Sequence, residues 1–363
     1  GIVFAGILRG GEYEDNDVWV VRLDGEGDVV WQKIVGGYGW MGDIEQTGDG
    51  GFVLAGFTES FGRNGEGCIV KMDGAGNFSW QKILGSSGYD RLDSVHETSE
   101  GNLMVGGKTD GNMILAALDG GGNMLWQKSY AGGRPCDVYR LAACANGEIL
   151  AAGIATQGGF ELARLGQNGD IVWHKSISTG ASGDYSYYMA VIEAMNGDIV
   201  LATENTAMRL DGEGNVLWQK AASAHASFYK LVEMDDGGLV FTGGDMENGR
   251  MWLGGMDYRG NMTWQETIES GCLEVGSDLV RSADGGIMAI SGGCDASHIV
   301  KLGAGGEFYG ACSMIMEANF TLVPASSTVS AKSLTVEDPG LLLQDSSASI
   351  ADSAGIVTFQ CPE

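Results

Sequence analysis

The chain is short of proline, of positive charge, of histidine and of long hydrophobic runs. Only 4 of its 363 residues are proline, so nearly every backbone N–H remains available for a sheet ladder. Lys and Arg number 21 against 48 Asp and Glu, a formal net charge of −27. A surface of that sign disfavours nucleic acid and anionic bilayers as partners. It suits solubility, with calcium binding or a saline habitat as the other readings. No apolar stretch reaches the ~18–20 residues of a membrane span, so no membrane insertion is expected. The 4 histidines, His96, His174, His225 and His298, never fall at metal-ligand spacing. None of the 7 cysteines forms a C-x-x-C pair, which leaves zinc-ribbon and haem-attachment readings unsupported. There is no Gly-x-Ser-x-Gly elbow. Gly37–Gly42 matches G-x-G-x-x-G but leads into a strand pattern rather than a helix, so it fails the context test for a nucleotide site. Gly107-Lys108-Thr109 lacks the earlier glycine of a phosphate loop, because Asn102 stands there. Gly1 in place of a methionine reads as processing or truncation.

What the chain does contain is a repeat. Trp31, Trp80, Trp126, Trp173, Trp218 and Trp264 recur at intervals of 49, 46, 47, 45 and 46 residues. Each closes a phrase of the form Leu-Asp-Gly-x-Gly-Asn-x-x-Trp-Gln-Lys, as in Leu23–Lys33 and Leu210–Lys220, and a worn seventh copy puts Phe308 at the tryptophan position. A period in the forties marks a propeller or solenoid. Within one repeat, residues 43–46, 52–57, 68–72 and 78–83 read as four strands a, b, c and d joined by glycine-rich hairpins. The helical period is missing throughout. Stacking such sheets radially buries both faces, so the expected fold is an all-β, seven-bladed β-propeller of four-stranded antiparallel blades, spanning residues 1–323. The six tryptophans are expected to pack between blades.

Ile2–Gly6 matches strand b, so the first blade lacks strand a. Asn319–Val323 is the natural donor and would close the ring beside Ile2–Gly6. Residues 324–363 are rich in Ser, Ala and Asp, with Val336, Leu343, Ile350 and Val357 spaced by seven and Asp338, Asp345 and Asp352 in step. A heptad helix competes with an extended strap here; Ser, Thr, Asp, Gly and Pro disfavour the helix, and an extended tail along the propeller is expected.

Gly50–Gly56 followed by Met72–Lys82 resembles the repeat of secreted bacterial β-propellers written around DGGF…AG and LD-GN-WQK, with quinoprotein-like tryptophan-docked blades. The resemblance covers residues 1 to about 312. It implies a secreted, periplasmic or cell-surface protein, of bacterial origin and without assigned activity, and it carries no cofactor across. In that setting Cys272 with Cys294, and Cys312 with Cys361, are candidate disulfides, free buried thiols being the alternative. Cys68, Cys136 and Cys144 leave at least one odd thiol.

No catalytic constellation emerges, and no cofactor is implied. The aspartate-rich turns Asp24–Asp28 and Asp211–Asn215 read as turn chemistry. Glu12, Glu14, Asp15 and Asp17 form a better calcium candidate, with a solvated loop as the alternative. Tyr38, Trp40, Tyr89, Tyr130, Tyr185, Tyr187 and Tyr229 fall in or beside the d-to-a connections. Loops on a rigid scaffold carry binding, and such rings suit a protein or glycan partner; packing between blades is the other reading. The leading expectation is a non-catalytic interaction module. A structural subunit that self-assembles into a filament or array by strand or tail donation comes second, and a quinone-dependent or glycan-active enzyme third.

Overall fold

The computed structural model describes residues 1–8, 17–25, 28–35, 39–58, 65–86, 88–109, 111–131, 136–155, 160–178, 189–203, 205–222, 226–268, 275–282, 284–292, 297–303, 305–307, 315–317, 322–324, 328–331, 335–337, 342–345 and 350–352. Among them there is no helix, and hence none long and apolar enough to cross a membrane.

The strands follow the repeat. Blade 1 holds β1 (Ile2–Leu8), β2 (Asp17–Leu23) and β3 (Val29–Val35); blade 2 holds β4 (Trp40–Gln46), β5 (Phe52–Thr58), β6 (Glu66–Met72) and β7 (Phe78–Gly85). Blade 3 holds β8 (Asp90–Glu97), β9 (Leu103–Thr109), β10 (Asn112–Leu118) and β11 (Met124–Ala131); blade 4 holds β12 (Cys136–Ala143), β13 (Ile149–Ala155), β14 (Phe160–Leu165) and β15 (Ile171–Ser178). Blade 5 holds β16 (Met189–Glu193), β17 (Ile199–Thr203), β18 (Thr206–Leu210) and β19 (Val216–Ala222); blade 6 holds β20 (Ala226–Glu233), β21 (Leu239–Asp245), β22 (Arg250–Met256) and β23 (Met262–Ile268). Blade 7 shows β24 (Val275–Arg281), β25 (Ile287–Gly292) and β26 (Ser297–Leu302). Each set forms one antiparallel sheet, seven in all. The fold is a seven-bladed β-propeller.

The chain divides into two compact units, residues 1–176 with 331–357, and residues 177–330 with 358–363. In both, the core lies between neighbouring blades. In the first unit, Val18 and Val20 of blade 1 pack with Leu54, Val70 and Met72 of blade 2, and Ile69 and Leu84 pack with Val95, Val105 and Ile114 of blade 3. In the second, Phe228, Phe241 and Trp252 of blade 6 pack with Val200 and Ala207 of blade 5.

Within each unit the repeated tryptophan joins a blade to the next by docking on the same phrase in its neighbour, in four places. Trp31 Nε1 donates to the Gly74 carbonyl at 3.1 Å, Trp80 to Gly120 at 3.1 Å, Trp126 to Gln167 at 3.2 Å and Trp218 to Tyr258 at 3.0 Å. Each acceptor sits in the next blade's c–d turn. The ring then lies over the left-handed glycine of that turn. At Gly169 (φ 75°), a Cβ would stand 2.7 Å from the Trp126 ring. All six rings are half-buried rather than enclosed. The turn is built by its own aspartate: Asp73 Oδ1 accepts from Ala75 N at 2.9 Å and Asn77 N at 2.8 Å, and Asn77 Nδ2 donates to Asp73 Oδ2 at 2.9 Å. Asp119, Asp211 and Asp257 repeat this, so turn chemistry accounts for these acids.

The tail is extended. It contributes β27 (Ile315–Glu317), β28 (Leu322–Pro324), β29 (Thr328–Ala331), β30 (Thr335–Glu337), β31 (Leu342–Asp345) and β32 (Ile350–Asp352). In the second unit β27 adds to the outer edge of β23 and β28 to that of β19; in the first, β30 adds to β11, β31 to β7 and β32 to β3. The tail therefore visits blades in reverse chain order.

Among the described residues Ile2–Gly6 pairs with β2, and in the second unit Leu322 stands opposite Ala222 and Val323 opposite Ala221. Pro324, which has no N–H to give, suits this outermost strand. Leu322–Pro324 is itself one of the added strands, and Ile315–Glu317 precedes it.

Candidate functional site

Of the loop-face aromatics, Trp40 and Tyr89 stand in one array. Trp40 opens β4, Phe57 nears the end of β5, and Tyr89 precedes β8. The Trp40 and Phe57 centroids are 6.4 Å apart, and those of Phe57 and Tyr89 are 5.9 Å apart. The Arg91 guanidinium lies 5.8 Å from the Trp40 ring centroid, a cation–π distance. Gly65 (φ 108°) leaves room for Tyr89, since a Cβ there would be 3.0 Å from the ring. Tyr89 is 39% exposed and Trp40 is half-buried.

Tyr130 and Tyr229 sit in the core. Tyr130 is 0% exposed and donates to the Gly169 carbonyl at 2.6 Å. Burial, reinforced by the nearby Asp170 charge, pushes its phenol well above the usual tyrosine range. Tyr229 is 3% exposed and reaches Met246 Sδ at 3.5 Å. Both are buried. Tyr38, Tyr185 and Tyr187 lie outside the described residues, as do Glu12, Glu14 and Asp15; Asp17 opens β2. Cys272, Cys294, Cys312 and Cys361 also lie outside them. Cys68 is a buried free thiol, and burial raises it well above its ordinary value; Cys144 is buried too. Among the described residues no three His, Cys, Asp or Glu side chains group as a metal would need.

Each unit also carries rungs of a polar ladder that sequence reasoning missed. Strands β4, β8, β20 and β24 each carry a bulge, between Met41 and Asp43, Leu92 and Ser94, Phe228 and Lys230, and Gly276 and Asp278. A bulge re-aims the side chain that follows it. Asp43 Oδ2 accepts from Ser94 Oγ at 3.0 Å and Val95 N at 3.2 Å, and Ser94 Oγ in turn accepts from Leu141 N at 3.1 Å. In the second unit Lys230 meets Asp278 at 3.2 Å. Asp93, 1% exposed, is held by Arg91 Nε at 2.8 Å, and Arg140 Nη1 donates to its carbonyl at 3.2 Å. The signal in the sequence is a polar residue seven positions before the left-handed glycine of the a–b turn: Asp43, Ser94, Lys230 and Asp278 before Gly50, Gly101, Gly237 and Gly285.

A second contact in the first unit pairs a histidine with a carboxylate. His96 Nδ1 and Glu45 Oε2 are 3.0 Å apart. Burial opposes the charged ring, but the Glu45 hydrogen bond and charge, with Asp43 and Glu97 beyond, outweigh it and hold His96 above its ordinary value. A raised folded pKa means this contact stabilises fully below the unfolded value of ~6.5, and that support fades as pH rises through the folded value. Glu45→Gln is expected to move His96 back toward or below ~6.5, read by NMR titration of its ring protons. An unchanged midpoint would dissociate the pair.

No protein-family model matches the chain, and no curated protein matches it in sequence. Solved structures do. A protein of unknown function from Bacteroides caccae superposes with a TM-score of 0.50 at 14% identity, covering 81% of this chain and 98% of that one. Sqt1 from Chaetomium thermophilum gives 0.51 at 14% identity, covering 74% and 70%. A quinoprotein alcohol dehydrogenase-like protein from Bacteroides thetaiotaomicron gives 0.40 at 10% identity, covering 72% and 65%. At such identities the likeness concerns the fold alone.

Proposed function

We infer that this chain is a non-catalytic, secreted or cell-surface propeller that binds a protein or glycan through the loop face of blades 2 and 3. The observation that carries the reading is the array of Trp40, Phe57 and Tyr89 with Arg91 against its first ring. Rings held by a rigid sheet lose little entropy on binding, and Arg, Trp and Tyr dominate interface energetics. The location rests on the resemblance to secreted bacterial propellers.

The test is an immobilised polysaccharide array, with a panel of cell-surface proteins beside it, followed by titration calorimetry on any hit. Trp40→Ala and Tyr89→Ala should each weaken binding by about tenfold or more, the range of a hot-spot aromatic. Hits that both variants bind as tightly as the unaltered chain would remove the loop face from the reading. An assembly subunit is the second reading, favoured by the rim pairing of the tail.

A further inference from the structure

In blade 6, Met234, Met251 and Met256 are buried and Met262 is half-buried, whereas Met246 is 43% exposed. Met246 opens the turn between β21 and β22, and Asp245 ties that turn. Asp245 Oδ1 accepts from Glu247 N and Asn248 N, both at 3.2 Å, and Oδ2 accepts from Asn248 Nδ2 at 2.8 Å. The Asp245 carbonyl accepts from Gly249 N at 2.8 Å. The backbone that carries Met246 is therefore fixed without help from its sulfur.

The sulfur has an anchor of its own. Tyr229 Oη donates to Met246 Sδ at 3.5 Å. Tyr229 is the extra residue of the bulge in β20, where Phe228 stands opposite Gly243 and Lys230 opposite Thr242. A bulge re-aims a side chain, and here it brings a phenol to a thioether 17 residues away. A thioether sulfur is a weak acceptor with two lone pairs. The Tyr229 hydroxyl covers one of them from the buried side, since Tyr229 is 3% exposed. The other belongs to the exposed side chain.

We propose that Met246 is a redox modification site, oxidised by a peroxide to a single sulfoxide epimer that Tyr229 selects. The inference does not depend on the loop-face reading. The uncovered lone pair attacks one peroxide oxygen. The S–O bond forms as the O–O bond breaks. With hydrogen peroxide, the proton on the transferred oxygen passes to the departing one, which leaves as water. Sulfur gives up two electrons and the peroxide takes them. Attack through the covered lone pair would first have to break the Tyr229 hydrogen bond, so one configuration at sulfur dominates. The product is polar and chiral. Its oxygen accepts more strongly than sulfur, and rotation of the side chain offers that oxygen to Tyr229. The turn keeps its Asp245 ties, so the fold tolerates the mark. A reductase specific for that epimer reverses it.

The experiment treats the folded full chain with limiting hydrogen peroxide and maps sulfoxides by peptide mass spectrometry. Met246 should oxidise while Met234, Met251 and Met256 stay reduced. Each epimer-specific methionine sulfoxide reductase is then applied to the digested peptides. One should restore nearly all of Met246 and the other almost none. The same chain oxidised in guanidinium should give the two epimers in about equal amounts. Tyr229→Phe keeps the ring, drops the donor and should move the folded chain toward that even mixture. An even mixture at Met246 in the folded, unaltered chain would overturn the proposal, as would earlier oxidation of the three buried methionines. An undiminished epimer preference in folded Tyr229→Phe would overturn the role of the phenol.

Discussion

Trp126→Ala is expected to destabilise the protein by ~3 kcal/mol, the low end for a large aromatic truncation because the ring is only half-buried. The ring bridges blades 3 and 4, with its Nε1 on the Gln167 carbonyl and its face over Gly169. Trp126→Phe keeps much of the apolar contact and loses the hydrogen bond, so it should cost about 1 kcal/mol. Gly169→Ala attacks the same joint from the other side. Its φ of 75° strains any L side chain, and its Cβ would meet the Trp126 ring at 2.7 Å and Tyr130 Oη at 2.9 Å. The left-handed conformation alone costs about 1 kcal/mol or more, and the collision adds on the order of 1–2 kcal/mol. With alanine at 126 the ring collision disappears, so the double variant should fall short of the sum by about 1 kcal/mol. Guanidinium denaturation of the four proteins measures this. Strict additivity would mean that the ring and the glycine do not act as one latch.

Trp252→Ala should be costlier, at about 4–5 kcal/mol. Trp252 is 0% exposed in blade 6, with its centroid 4.5 Å from that of Phe241 and 5.1 Å from that of Phe228. Its Nε1 reaches Gln265 Oε1 at 3.3 Å. Removing it opens a cavity among rigid rings and strands that collapse poorly, and leaves the Gln265 amide oxygen without that donor. Blades couple chiefly to their neighbours, so hydrogen exchange should accelerate first in β17, β21 and β22, around the lost ring. Uniform acceleration across both units would show that cooperativity extends beyond neighbouring blades.

The turn glycines and the tryptophans were legible because their causes are local or periodic. A left-handed turn position admits few residues other than glycine, and a residue that performs the same docking once per blade must recur at the blade period. The choice of candidate site residues was legible only in part. Trp40 and Tyr89 share an array, while Tyr130 and Tyr229, indistinguishable from them by position near a loop, are buried. Tyr130 is the fourth residue after Trp126, a position facing the next blade's turn, and that facing depends on how two sheets stack. The polar ladder was missed for a related reason. Its partners Asp43 and Val95 are 52 residues apart, and a bulge sets their aim.

The chain's own order of residues determined the all-β class, the seven blades, the hairpin chemistry and the spacing of the tail, because these follow from backbone sterics and from a repeat visible along one dimension. Only the tertiary structure decided what the spacing of seven means. As a string, Val336, Leu343 and Ile350 describe a heptad and nothing more. In the folded protein seven residues are the length of tail between equivalent positions on successive rims, and a rim exists only after strands remote in sequence have paired.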